Sequence, residues 1–223
     1  GIVIGGRKVH FELISEDDQA DPKTATIVAQ KLVDNQVRGV IVHLNSGTTI
    51  PASRIYSDNG IVQISPSATA TAYTSQGYKT AFRVMANDAQ QGRVLGEYAT
   101  KNLGAKKIAV IDDRTGYGQG LADEFIKAAQ ANGAQIVAHE YTNDKAYDFT
   151  AVLTAVKGKQ PDLLFYAGMD PQAGPMAKQL KALALKLKFM MGDGGYTPQF
   201  IKLAGDAAEG SYASLPGVPL DKM

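Results

Sequence analysis

The 223 residues include no cysteine and no tryptophan, and histidine occurs three times. Without cysteine, a disulfide framework, a thiolate metal site and a cysteine nucleophile are all excluded. The same absence suits a reducing or an oxidising compartment equally. Neither sign of charge is in surplus, with 23 Lys and Arg against 22 Asp and Glu, net +1. So balanced a chain offers no electrostatic footprint for nucleic acid. It has no apolar run of the roughly 18 residues that a membrane-spanning helix needs. It also lacks a G-x-S-x-G elbow, a phosphate-binding P-loop and an H-E-x-x-H zinc helix. His10, His43 and His139 lie far apart on expected strands, where structural histidines are the default. No catalytic residue, cofactor or metal ligand set is therefore assigned.

What is present is ordinary globular composition: 44% hydrophobic, 20% charged and 8% aromatic, which rules out collagen-like, low-complexity and disordered classes. At about 150 residues per domain the length amounts to roughly one and a half domains. Gly1 to Gly6 contain neither an initiator Met nor the basic region of a leader, and Val218 to Met223 read as loop. The expectation is a processed product or part of a longer chain, about 350 residues on a two-lobe size.

Strand and helix patterns alternate along the chain. Arg7 to Ile14 reads as an amphipathic strand, and Asp21-Pro22 as a capped helix start. Val40 to Leu44 is a continuous apolar run, the pattern of a strand buried on both faces. Pro51 to Gly60 is expected as a helix, Ile61 to Ser65 and Phe82 to Met85 as strands. After Asn87-Asp88 the grammar restarts. Helices are expected at 89–102, 121–132, 149–157, 171–185 and 198–204, and strands at 107–111, 136–141, 162–167, 189–191 and 210–214. This βαβ order predicts two α/β units with mostly parallel sheets, meeting at a hinge near Met85 to Asp88.

Two segments invite a ligand. Leu44-Asn45-Ser46-Gly47-Thr48-Thr49 and Ser65-Pro66-Ser67-Ala68-Thr69 follow buried strands, where open α/β sheets bind ligands. Their hydroxyls and free N–H groups suit an anion, although Ser and Thr are also ordinary helix caps. From the second unit Tyr117, Tyr166, Met169-Asp170 and Asp193 fall at strand ends, Asp193 among glycines that leave it open to a ligand. A zwitterion fits between the units, its carboxylate on the first and its ammonium on Asp193; a solvent-facing loop aspartate is the competing reading. The turn Thr115 to Gly120 offers an alternative, a nucleotide site of an oxidoreductase. The third glycine of G-x-G-x-x-G is missing there, because position 121 is Leu.

His43 to Ser53, Ile64 to Thr69, Tyr117 to Gly120, Phe189 to Gly194 and Ala207 to Gly210 resemble, in order, the periplasmic leucine/isoleucine/valine-binding proteins. The resemblance implies a type I periplasmic binding protein fold: two doubly wound parallel-sheet lobes joined by crossovers, with an amino-acid cleft between them. Residues 1–87 would be a partial first lobe lacking its opening strand and helix, 88–214 the second lobe and 215–223 the start of a return segment. The missing strand would lie between those at 7–14 and 40–44, leaving their edges unpaired. By the same resemblance Ser46 binds the ligand carboxylate, with Leu44 and Asn45 beside it. Ser67, Ala68 and Thr69 supply a carbonyl to the ammonium and a hydroxyl to the carboxylate. Tyr117 and Met169 line the cleft, and Asp193 stands where relatives commonly place a glutamate for the ammonium. The implied setting is periplasmic, with a membrane permease of an ABC transporter as partner and no nucleic acid. A ligand-sensing domain would share this fold.

Overall fold

The computed structural model describes residues 1–218 and 222. Two strands, β1 (Ile2–Ile4) and β2 (Arg7–Val9), form an exposed antiparallel hairpin turning at Gly5 and Gly6, both with positive φ. The strand expected over 7–14 therefore ends at Val9. Residues 10–14 have no ladder partner, and Phe11 and Leu13 stay exposed.

The first α/β unit continues with α1 (Pro22–Asp34), β3 (Gly39–Ile41), α2 (Ser46–Asp58), β4 (Val62–Ser65), α3 (Thr71–Ser75) and β5 (Ala81–Arg83). Its strands pair in parallel in the order β3-β4-β5. The Asp21 side chain caps α1, accepting from Thr24 N–H at 2.8 Å. Val28, Ala29 and Leu32 of α1 and Ala52 and Tyr56 of α2 pack over Val40 and Ile61. The run Val40 to Leu44 is thus covered on one face only, with Ile41 76% and Leu44 65% exposed. No element among the described residues packs on the face that carries Ile41, Phe82 and Val84.

The second unit begins with α4 (Asp88–Glu97), capped by Asn87 and ending in a π-helical turn at Tyr98–Asn102. Then come β6 (Lys107–Asp112), α5 (Gly116–Ala131), β7 (Gln135–Tyr141), α6 (Thr150–Gly158), β8 (Leu163–Ala167), α7 (Asp170–Ala182), β9 (Lys188–Met191), α8 (Pro198–Ala204) and β10 (Tyr212–Ala213). The five strands are parallel in the order β10-β9-β8-β6-β7. Both faces are covered, so the period-2 alternation of β6 divides between two cores. Ile108 and Val110 pack under α4 and α5, where Phe125 stacks on Phe165 at 3.8 Å; Ala109 and Ile111 pack under α6, α7 and α8. Close approach of α4 to α5 depends on Gly92 and Gly96. A Cβ at Gly96 would lie 2.7 Å from Ala128 Cβ and 2.8 Å from Ala129 N.

Two helices start a full turn or more earlier than expected, and both corrections matter for the site. Pro51 does not open α2: the helix starts five residues before it, so Ser46 to Thr49 are its first turn rather than a loop. Likewise Gly116 to Gly120 are the first turn of α5. Of the expected return segment 215–223, residues 219–221 and 223 lie outside the described residues. Before them, Pro216 carbonyl accepts from Ala86 N–H at 3.1 Å, bringing that segment beside the β5–α4 connection.

Candidate functional site

Helices α2 and α5 each begin just beyond the C-terminal end of a parallel strand, β3 and β6, and their N-termini meet. A Cβ on Gly116 would lie 3.3 Å from Gly47 Cα and 3.9 Å from Ile50 Cδ1. The leading N–H groups of each helix have no partner within it. Each N-terminus carries a partial positive charge of about half an elementary charge. Two such ends in backbone contact make a place that favours an anion.

On the first unit a cradle surrounds these donors. Ser46 Oγ accepts from Ala70 N–H at 3.1 Å, which leaves its own proton to donate. Ser65 Oγ accepts from Ala68 N–H at 2.9 Å and donates to His43 carbonyl at 3.0 Å. Arg83, at the end of β5, donates through Nη1 to the carbonyls of Ala68 and Ala70 at 3.0 and 2.9 Å. Asp88 N–H donates to the Thr69 carbonyl at 2.9 Å. These contacts fix the loop, while the buried Thr69 hydroxyl has no partner at full hydrogen-bond distance and lies beside the Asp88 carboxyl.

On the second unit Tyr117 OH donates to Asp193 Oδ1 at 2.8 Å and accepts from Gly194 N–H at 3.1 Å. Burial, reinforced by the Asp193 charge, pushes the Tyr117 hydroxyl well above its ordinary range, so it remains a neutral donor. Glycines let these groups approach. A Cβ at Gly194 would meet Gly168 O at 2.7 Å, Met169 Sδ at 2.8 Å and the Tyr117 ring at 3.3 Å.

The nine expected site residues therefore fall into two clusters and a rim. Ser46, Ala68 and Thr69 form one cluster; Tyr117, Met169 and Asp193 form the other. Ser67 is half-buried, its N–H reaching Ser65 Oγ at 3.4 Å. Asn45 serves α2 through its carbonyl, which accepts from Thr49 N–H at 2.9 Å, and its side chain makes no capping bond. Leu44 is exposed. Tyr166 is fully buried in the core under α6 and α7, its hydroxyl lying against Gly168 beside Met169. The glycine turn 116–120 fits a pyrophosphate poorly: Gly47 stands in front of Gly116, and the buried Asp113 carboxylate lies against Gly118.

Three residues at the junction were not anticipated as site residues. Asp88 is fully buried, and its Oδ1 accepts from Gln91 Nε2 at 2.9 Å. Gln91 Oε1 in turn accepts from Asp193 N–H at 3.0 Å and from the Ser214 hydroxyl. Arg83 is the third. In sequence, Asp88 reads as an ordinary acid in a first helical turn and Gln91 as a surface residue, so no local signal sets them apart. Burial pushes the Asp88 carboxyl up to about 6; the Thr69 hydroxyl and Gln91 amide beside it pull downward, the Asp193 charge pushes up and Arg83 pulls down.

A family model described as periplasmic binding protein matches residues 3–222. The chain is 41% identical over 218 residues to Leu/Ile/Val-binding protein homolog 1 of Brucella abortus (strain 2308), covering 98% of this chain and 58% of that protein. It is 36% identical over 212 residues to the leucine-, isoleucine-, valine-, threonine-, and alanine-binding protein of Pseudomonas aeruginosa, covering 95% and 57%. The chain thus spans little more than half the length of these relatives. Among solved structures, a leucine-binding protein from Thermotoga maritima matches with a TM-score of 0.84 at 27% identity, covering 88% of this chain and 56% of that one. A branched-chain amino acid transporter substrate-binding protein from Streptococcus pneumoniae, in complex with isoleucine, matches with a TM-score of 0.79 at 29% identity, covering 87% and 55%. With a family model matched over nearly every residue, and with its parallel α/β units, the chain belongs to the periplasmic binding protein family.

Proposed function

We propose that this chain forms the ligand-capturing part of a substrate-binding component of an ABC transporter, taking a branched-chain or other apolar amino acid in the periplasm and delivering it to a membrane permease. In this reading residues 1–87 and 88–214 act as two lobes, and the protein binds without chemistry. The observation that carries it is the opposition of charge across one contact. Two helix N-termini and the Ser46 and Thr69 hydroxyls offer donors to a carboxylate, and the Asp193 carboxylate offers an acceptor to an ammonium. A zwitterionic α-amino acid satisfies both. Relatives named for leucine, isoleucine and valine support the apolar side chain. A thermal-shift screen of the full-length protein against the twenty amino acids and against NAD(H) tests the proposal. Leucine, isoleucine or valine should raise the melting temperature and NAD(H) should not. A shift with NAD(H) alone would overturn it.

A further inference from the structure

The junction network contains a charge that capture of a carboxylate does not use. Asp88 sits at the first position of α4, where the chain passes from the first unit to the second. It touches both units. Its N–H holds the Thr69 carbonyl of the first, and its carboxylate holds Gln91, which holds the Asp193 backbone of the second. Gln91 also takes the Ser214 hydroxyl, on the connection that follows β10. One glutamine thereby joins the Asp193 loop to two connecting segments, and Asp88 fixes that glutamine. The second carboxylate oxygen of Asp88, Oδ2, is buried and has no hydrogen-bond partner in the protein.

We propose that Asp88 is a positioning residue of the cleft, holding Asp193 through Gln91 and contributing its own negative charge behind the ligand's ammonium group. The inference rests on the amino-acid reading above and deepens it. The ionisable groups that face Asp88 are Arg83 from β5, Asp193 from the loop after β9 and Tyr117 from α5. Arg83 stays cationic and Tyr117 stays neutral between pH 5 and 8, so neither masks a change of charge at Asp88. Without ligand, burial and the neighbouring Asp193 charge favour the protonated form of Asp88. An ammonium group seated on Asp193 favours the ionised form. Binding therefore releases a proton from Asp88 wherever the free protein still carries it, and affinity weakens as pH is lowered through that range.

Calorimetric titration of the full-length protein with L-leucine, in buffers of different ionisation enthalpy, reads this directly. At pH 6 the wild-type protein should release about half a proton per leucine bound, and at pH 7.5 almost none. Affinity should fall about tenfold between pH 7.5 and 5. In Asp88→Asn the proton release at pH 6 should vanish and the pH profile should flatten. Asn keeps the acceptor for Gln91 and adds a donor toward Thr69. A purely structural Asp88 would leave both pH readouts unchanged while altering stability. Leucine binding without proton release in the wild type, or release that persists in Asp88→Asn, overturns the coupling and leaves amino-acid capture standing. The wild-type titration decides the matter if the variant does not fold. Failure of all twenty amino acids to bind at pH 7.5 overturns the capture reading, and the coupling with it.

Discussion

The proposed function gives Asp193 and Ser46 opposite ends of one ligand, and their substitutions should differ accordingly. In the proposed function Asp193 partners a buried ammonium, so Asp193→Ala should abolish amino-acid binding with the fold intact. Ser46→Ala and Thr69→Ala each remove one hydrogen bond to a charged group. Each should weaken binding by about 1–3 kcal/mol, measured by calorimetry. Asp88 also has a consequence for stability. Its folded pKa of about 6 lies above the ordinary value of 3.8, so the folded state holds the proton more tightly than the unfolded chain. The resulting stabilisation is complete below about pH 4 and is lost as pH rises through 6. A shift of that size corresponds to about 3 kcal/mol. Asp88→Asn, which carries no charge to desolvate, should melt above the wild type at pH 7.5 and show no such gain at pH 4. An unchanged difference across that range would contradict the assignment.

Helix starts decide how the units meet. Gly47 and Gly116 lie in the first turns of α2 and α5 without positive φ, so their lack of a side chain serves approach rather than backbone conformation. Gly116→Val should leave the melting temperature of the unliganded protein unchanged or raised, and should weaken ligand binding at least tenfold, about 1.4 kcal/mol. Gly96→Ala presses on α5 backbone within one unit, so it should destabilise the fold by about 1–3 kcal/mol whether or not ligand is present. The βαβ order and the parallel pairing were legible in the sequence because apolar runs alternate with helical spacing and Gly or Pro punctuation. The start of α2 was not, because Pro51 looks like a first-turn proline and Ser46 to Thr49 look like a capping loop. The strand at 7–14 misled for the opposite reason. Its alternation is real, but a strand needs a neighbour, and beyond Val9 the described residues provide none. Residue type and position at strand ends pointed to the segments 44–49 and 65–69 and to Tyr117 and Asp193 as candidates, and the family resemblance narrowed the two segments to Ser46 and Thr69. The junction of Asp88, Gln91 and Arg83 was not legible, since it arises from segments far apart in sequence converging at one place.

For the whole molecule, the proposed capture amounts to a population shift between separated and touching units. Two helix N-termini in contact repel each other until an anion lies between them, and two carboxylates near one junction repel until a cation does. A zwitterion relieves both, and this differential interaction is what a ligand needs to favour the touching arrangement. The connections through Met85 to Asp88 and through Ser214 to Pro216 run side by side, tied at Ala86 and Gln91, so bending there moves one unit relative to the other. Closure should accordingly reduce the radius of gyration of the full-length protein on ligand addition, observable by solution scattering, and Gly116→Val should blunt the change. Calorimetric titration of the full-length protein and its Asp193→Asn variant with leucine, isoleucine and valine at pH 7.5 tests the proposed capture directly. The wild type should show saturable one-site binding that is lost in the variant. Equal affinity in both proteins, or no binding by the wild type, would contradict it.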